Sequence, residues 1–213
     1  QAVDMVLGGA VGNAFAAVRP PGHHAERETA MGFCFFGSVA IGAKHALNHH
    51  GLKRVAILDF DVHHGNGTEA MFKNDPDLFY ASTHQMPLYP GTGRVFETGV
   101  ANNIVNVPLD PYAGSDEFRT EMTRVLLPKL QAFNPDLVMI SAGFDAHSDD
   151  PLAQLNLGEN DYIWATEKIM DVAALCCKSR LVSTLEGGYN LDALASSVAA
   201  HVKTLMNYKA GQG

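Results

Sequence analysis

The sequence predicts an α/β domain, a mainly parallel sheet with helices on both faces. Three observations carry this. Short aliphatic runs such as Val55-Ala56-Ile57-Leu58 recur, and such runs suit strands buried on both faces. Amphipathic stretches separate them, so strand and helix alternate along the chain. Several runs end in glycine together with histidine or aspartate, as in Asp59-Phe60-Asp61-Val62-His63-His64-Gly65-Asn66-Gly67. In open α/β sheets, ligands bind beyond the carboxyl ends of the strands.

The 213 residues suffice for one sizeable core, read as one domain over residues 1–206 with a frayed tail at 207–213. Hydrophobic residues make up 46% and charged residues 18%, an ordinary globular balance. A net charge of −8 without a local basic patch argues against a nucleic-acid surface. No apolar run approaches the ~20 residues that a bilayer-spanning helix needs, so no membrane partner is expected. The chain starts at Gln1 without a visible signal peptide, and Cys34, Cys176 and Cys177 show no CxxC spacing. Reduced thiols in a cytoplasmic protein fit that usage.

In chain order, residues 4–11 read as the tail of a helix and 13–18 as the first strand. Arg19-Pro20-Pro21-Gly22 stops that strand, and His23 and His24 follow. Beyond the apolar loop at 32–36, Ser38 is placed as the cap of a helix over 39–50, closed by Gly51. His45 and His49 have the i,i+4 spacing of a zinc-binding pair, but no HExxH pattern surrounds them. They read as partners of the helix dipole. The second strand, 55–58, leads to a short helix at 68–73, a strand at 78–82, a loop at 87–93 and a strand at 103–107. Ser115 is read as the cap of an amphipathic helix with Phe118, Met122, Val125, Leu126 and Leu130 on one face, stopped at Asn134-Pro135-Asp136. A buried strand at 137–140 exits into Ser141-Ala142-Gly143-Phe144-Asp145-Ala146-His147. Asn160 is placed as the cap of a helix reaching about Lys178. Residues 181–185 form the last strand, followed by Glu186-Gly187-Gly188-Tyr189, and a final helix covers 191–206. The count is six strands, with no internal repeat or linker.

Four separated stretches place polar side chains just after a strand: His23/His24, the run from Asp59 to His64, Asp145/His147, and Tyr189. Asp59, Asp61 and His63 are two residues apart, so in extended chain they point to one side. Asp61, His63 and Asp145 would make a three-ligand metal site with one open position, the pattern of catalytic rather than structural sites. One imidazole and two carboxylates suit Zn2+, and Fe2+ or Co2+ also fit. Such an ion makes water nucleophilic near neutral pH. His23 and His24 can then move protons, and the Tyr189 hydroxyl can reach a developing oxyanion.

Arg19-Pro20-Pro21-Gly22-His23-His24, Gly32-Phe33-Cys34-Phe35-Phe36, the Asp59 to Gly67 run, Ala142-Gly143-Phe144-Asp145 and Glu186-Gly187-Gly188-Tyr189 resemble the signature blocks of the zinc-dependent histone deacetylase family. This family includes bacterial deacetylase-like amidohydrolases and acetoin-utilisation-type proteins. The blocks stand in family order and cover nearly the whole chain. The resemblance implies a three-layer arginase/deacetylase fold and hydrolysis of an N-acetyl amide, either acetyl-lysine in a peptide or a small acetylated amine. It implies one zinc held by Asp61, His63 and Asp145. His23 and His24 would be the tandem catalytic histidines, with Asp59 bonded to His23 and Asn66 orienting His24. A neutral amide orients an imidazole without favouring its cation, whereas a carboxylate does both, so the two histidines should differ in basicity. Tyr189 would polarise the acetyl carbonyl. Phe33 and Tyr89 would wall a substrate tunnel, with Gly32, Leu152 and Gly188 as further substrate-binding positions. The resemblance also implies K+, held by the Asp59 and Ser82 side chains and the carbonyls of Asp61, His63 and Thr83.

The chain departs from the family pattern in two ways. Gly37 stands where the family usually has asparagine. Family domains are also longer, and their first strands and a rim loop precede the stretch seen here. The expectation is an N-terminally incomplete domain whose exposed sheet edge favours pairing with another chain. A binuclear manganese ureohydrolase of the same fold would want aspartate two residues beyond Asp145, where His147 stands. A catalytically impaired binder of acetylated ligands would have lost a metal ligand or Tyr189, and neither is lost. Gly8-Gly9 and Gly91-Thr92-Gly93 fit neither nucleotide-binding pattern. Leu152 matches a rim position where polyamine-selective relatives carry an acid. That favours acetyl-lysine peptides or small neutral acylamides over acetylpolyamines.

Overall fold

Residues 1–209 are described by a computed structural model; the last part of the expected tail, 210–213, lies outside the described residues. Six strands form one all-parallel sheet: β1 (Asn13–Ala16), β2 (Val55–Asp59), β3 (Leu78–Gln85), β4 (Ile104–Leu109), β5 (Leu137–Ala142) and β6 (Leu181–Leu185). Their spatial order is β1-β6-β5-β2-β3-β4, which puts β2 and β5 at the centre. The aliphatic run of β2 is 0–1% exposed throughout. Its alternate residues serve opposite faces: Val55 and Ile57 pack with α1 (Ala2–Leu7) and α2 (Ser38–His50), while Ala56 and Leu58 face the other helices. Each fully buried Ile or Leu here contributes roughly 2 kcal/mol.

On the first face, α1, α2 and α3 (Asn66–Phe72) supply Val3, Val6, Val39, Ala43 and Phe72. The second face is covered by α4 (Ser115–Glu121), α5 (Leu127–Phe133), α6 (Glu159–Cys177) and α7 (Leu191–Asn207), through side chains such as Phe118, Leu130, Tyr162, Ile169 and Leu205. This is the three-layer arrangement the sequence predicts.

Several boundaries differ from expectation. The first helix ends at Leu7 and the first strand at Ala16. β3 runs on to Gln85 and pairs with β4 as far as Leu109, so Thr83, His84 and Gln85 belong to the strand despite their polarity. Their side chains find distant partners: His84 Nε2 donates to the Gly93 carbonyl at 2.9 Å, and the Gln85 carboxamide accepts the Gln154 N–H at 2.8 Å. The capping residues also move. Gly37, Gly114 and Gly158 occupy the N-cap positions assigned to Ser38, Ser115 and Asn160. At two of these ends the satisfied donor is the cap's own N–H: Gly114 N donates to Glu117 and Gly158 N to Asp161, each at 3.0 Å. Asn190 caps α7 through the Asp192 and Ala193 amides. The helix predicted from Ser115 is interrupted by a π-turn at Met122–Leu126. Pro128 follows it; without an N–H it cannot donate to the carbonyl four residues back, and the coil widens just before it.

Candidate active site

The carboxyl ends of β2, β5 and β6 bring the metal-type residues together. From Asp59 the chain climbs in a ladder of side-chain to backbone bonds: Asp59 Oδ1 accepts from Asp61 N at 3.1 Å, and Asp61 Oδ1 accepts from His63 N at 2.9 Å. Asp145, beyond β5, reaches across to accept from Val62 N at 2.9 Å. Gly187, beyond β6, donates its N–H to Asp61 Oδ2 at 2.8 Å. His63 Nδ1 lies 3.1 Å from both Asp61 Oδ1 and Asp145 Oδ2. One donor atom from each of Asp61, His63 and Asp145 falls within 4.8 Å of the others. Glycine is required at both approaches: a Cβ on Gly143 would overlap the Asp61 carboxylate, and one on Gly187 would overlap that of Asp145.

Charge at this point is unbalanced. Asp59, Asp61, Asp145 and Glu186 are all buried, and among the described residues no Lys or Arg forms an ion pair with any of them. Burial pushes the Asp145 carboxyl up to about 7, and the neighbouring Asp61 charge adds to the push. Glu186 is likewise raised to about 7, first by burial. Burial opposes charge on His63, but Asp145 and Asp61 outweigh it and raise the imidazole to about 10. Two carboxylates and one imidazole converging in a dry, anionic spot fit a divalent cation such as zinc.

The histidine pair sits on the same side. Glu186 Oε2 accepts from Gly22 N at 2.6 Å and His23 N at 3.1 Å, which ties the turn after β1 to the end of β6. Ser141 Oγ donates to the other oxygen of Glu186 at 3.2 Å. The two rings lie 4.1 Å apart. His23 Nδ1 donates to Asp59 Oδ2 at 2.9 Å, and the Tyr80 hydroxyl donates to the same oxygen at 3.1 Å. His24 Nδ1 donates to Asn66 Oδ1 at 2.8 Å. Their basicities diverge as expected. Burial opposes the His23 cation, but Asp61 and Asp59 override it and hold its pKa well above the usual value. His24 is lowered to about 3, by burial first and then by the charge of His23.

A cavity of about 410 Å³ opens over these groups, with His24 and His63 buried within it and Phe33, Tyr89 and Leu152 exposed around it. Leu88, Gly32 and Tyr189 complete the lining. The Phe33 and Tyr189 rings are 6.0 Å apart, and Tyr89 stands edge-on to His24 at 5.1 Å. Burial and the nearby Asp61 and Asp145 charges push the Tyr189 hydroxyl far above its usual range, so it remains a donor. Phe33 holds a left-handed φ of 64°, a conformation that costs about 1–2 kcal/mol for a side-chain-bearing residue. Larger surface hollows, about 600 Å³ beside α4 and about 810 Å³ beside α1, contain none of these groups.

Of the remaining predicted site residues, Gly188 is buried behind Tyr189 with φ 140°, its backbone against Leu194. Ser82 pairs with Asp59 in the strand register, and both Ser82 and Thr83 are buried. His147 turns away from Asp145: its Nδ1 accepts from Asp149 N at 3.1 Å, and its Nε2 lies 3.7 Å from Glu159. Sequence reading gave no role to Glu186, Tyr80 or Asp150. Asp150 accepts from Tyr189 N at 2.8 Å and Leu152 N at 3.0 Å, so one carboxylate fixes both residues. Nothing in the local sequence around Asp150 signals this, because its partner Tyr189 is 39 residues away.

A family profile, that of the histone deacetylase domain, matches residues 1–205. The chain belongs to this family. It is 50% identical over 188 residues to histone deacetylase 10, chloroplastic, of Oryza sativa subsp. japonica, covering 87% of this chain and 42% of that protein. It is 40% identical to the polyamine deacetylase HDAC10 of Mus musculus, covering 97% of this chain and 32% of the relative. Among solved structures, the HDA15 HD domain superposes with a TM-score of 0.90 at 38% identity, covering 97% of this chain and 61% of that one. This histone deacetylase domain thus spans less than half the length of these two curated relatives.

Proposed function

We propose that the chain is the catalytic part of a zinc-dependent deacetylase that hydrolyses an N-acetyl amide. One observation carries this: His63, grouped with the buried Asp61 and Asp145, lines the same cavity as His24 and Tyr189. Zinc held by those three residues would supply Lewis acidity toward the acetyl carbonyl and toward water. With Nδ1–H engaged by Asn66, neutral His24 presents the Nε2 lone pair. Nε2 takes the proton of the attacking water and returns it to the leaving amine nitrogen. His23 keeps its proton on Nδ1 against Asp59 and lends positive charge to the developing anion. The Tyr189 hydroxyl donates to the acetyl oxygen as negative charge grows there.

The cavity favours a long neutral acylated side chain. The aromatic faces of Phe33 and Tyr89 flank it, and no carboxylate is among its lining residues. We therefore favour acetyl-lysine peptides or small neutral acylamides over acetylpolyamines, for which Leu152 offers no acidic partner. Asp59 and Ser82 side chains, with the Asp61, His63 and Thr83 carbonyls, would supply the hard oxygen ligands that suit K+; Asp59 and Ser82 are register partners, and all five residues are buried. The three unpaired thiols fit a reducing compartment such as the cytoplasm. The orientation of His147 disfavours a binuclear manganese reading.

The test is metal content together with acetate release from a short acetyl-lysine peptide by the full-length protein. We expect loss of turnover on chelation, recovery with zinc, and loss of the ion in Asp145→Asn. A metal-loaded protein that releases no acetate from any acetylated lysine or amine would overturn the proposal. Matched kcat/KM values for the peptide and for an N-acetylated polyamine decide the substrate class.

A further inference from the structure

A second group of metal-type side chains lies away from the cavity. The last turns of α2 carry His45, His49 and His50, and Asp4 of α1 reaches over to them. His45 Nε2 and His50 Nε2 lie 2.6 and 2.7 Å from the same Asp4 Oδ1. The His45 and His49 rings are stacked 4.8 Å apart with 12° between their planes. His50 stands edge-on to both, at 5.3 and 5.0 Å. One nitrogen from each of the three rings falls within 4.8 Å of the others. His49 is exposed and the other two are partly so, which leaves an entry path from solvent.

A single histidine would suffice to complement the α2 dipole. Two imidazoles on one carboxylate, with a third ring stacked beside them, do something else: they gather borderline nitrogen donors beside one anionic oxygen. Tetrahedral donors on a 2.0–2.1 Å shell stand roughly 3.4 Å apart. Small torsions of exposed side chains span the difference from the observed separations. Three imidazoles with a carboxylate select Zn2+, Ni2+ or Cu2+ over Mg2+ or Ca2+. The other end of α2, at Ser38, packs against Gly22, next to His23. At about 1.5 Å per residue, the cluster lies about 11 to 18 Å along the helix from that end, and none of its residues belongs to the catalytic set.

We propose that Asp4, His45, His49 and His50 form a surface site for a divalent transition ion, with zinc as its first occupant, which staples α1 to the end of α2. A helix of six residues is too short to hold its shape unaided, so the ion would fix the segment that covers Val3 and Val6 against the sheet.

The test is equilibrium dialysis of tag-free protein against micromolar Zn2+, with ions counted per chain. We expect two in the wild type, one in a His45→Gln/His49→Gln/His50→Gln variant, and one in Asp145→Asn. A count of one in the wild type and none in the triple variant would uphold the surface site and sink the active-site metal instead. The single exposed change His49→Gln, which removes no core contact, should weaken the surface ion at least tenfold. Cu2+ added to Asp145→Asn should show nitrogen hyperfine splitting in its electron paramagnetic resonance spectrum, and the histidine variants should lose it. Equal counts in the wild type and the triple variant, or binding to the cluster only at millimolar zinc, would overturn the proposal.

Discussion

Asn66 Oδ1 accepts the Nδ1 proton of His24 at 2.8 Å, while its Nδ2 donates to Glu26 Oε1 at 2.9 Å. The second bond fixes which way the amide faces, and hence which nitrogen of His24 carries the proton. Replacing this amide by a carboxylate adds a charge, and pairing the change with Glu26→Gln keeps the geometry, because the new Oδ2 then faces an amide donor rather than a second carboxylate. In that background Asn66→Asp should raise the His24 pKa by roughly one to three units. A base works only when neutral, so the acidic limb of the pH profile of kcat/KM should move to higher pH by that amount. Because His24 starts at about 3, the shifted limb still lies below pH 7, and activity at neutral pH should change little. An acidic limb that stays in place would show that His24 is not the base.

Tyr189 contributes its hydroxyl to the cavity, while its backbone is held by Asp150. Removing the hydroxyl alone leaves the loop anchored. Tyr189→Phe should lower kcat by about 10²–10³, the usual loss for one donor to a developing oxyanion. KM and zinc content should change little. A variant that turns over at the wild-type rate would remove Tyr189 from the chemistry.

Gly187 is pressed between the two metal-type carboxylates. A Cβ there would overlap Asp145 and come 2.6 Å from Asp61 Oδ2. Both carboxylates are buried and held from behind, so they cannot withdraw without breaking their bonds to Val62 N and His63 N. Gly187→Ala should lower zinc affinity at least tenfold while circular dichroism still reports a folded protein. Undiminished affinity, measured by competition with a chromophoric chelator, would mean that these carboxylates do not hold the ion.

What the sequence revealed follows from the range of the interactions. Asp59 was legible because an aliphatic run marks where β2 ends; Asp61 and His63 lie beyond the strand, in bends held by the Asp59 and Asp61 carboxylates, so turns rather than the expected strand alternation place them. His23, Asp145 and Tyr189 were legible because parallel strands deliver their exits to one edge. Glu186 stood inside a recognised block, yet its work is to hold the backbone at Gly22 and His23, 164 and 163 residues away, and no local pattern encodes that. Polar Thr83, His84 and Gln85 hid the second half of β3, since only the folded chain supplies Gly93 and Gln154 as their partners. Glycine N-caps were missed because the stabilising side chain came from inside the helix rather than from the cap itself.

His201 gives a prediction about stability rather than chemistry. It is fully buried on α7, among the rings of Phe15, Phe60 and Phe144. Thr166 Oγ1 donates to the Tyr162 carbonyl at 2.6 Å, so it accepts from His201 Nδ1 at 2.7 Å. Ser183 Oγ then donates to Nε2 at 2.9 Å. The neutral ring is thus satisfied on both sides, and no carboxylate bonds it. Burial lowers its pKa from 6.5 to about 4. As pH falls, the unfolded chain takes up this proton first, so the stabilisation is complete above about pH 6.5 and is lost between there and about pH 4. At 1.36 kcal/mol per unit, the loss is on the order of 3 kcal/mol. His201→Gln can keep both hydroxyl partners but does not titrate. In urea unfolding at pH 7, 6 and 5, the variant should start less stable and lose stability more slowly as pH falls, by nearly one proton's slope. Parallel pH dependences for the two proteins would show that His201 does not carry this term.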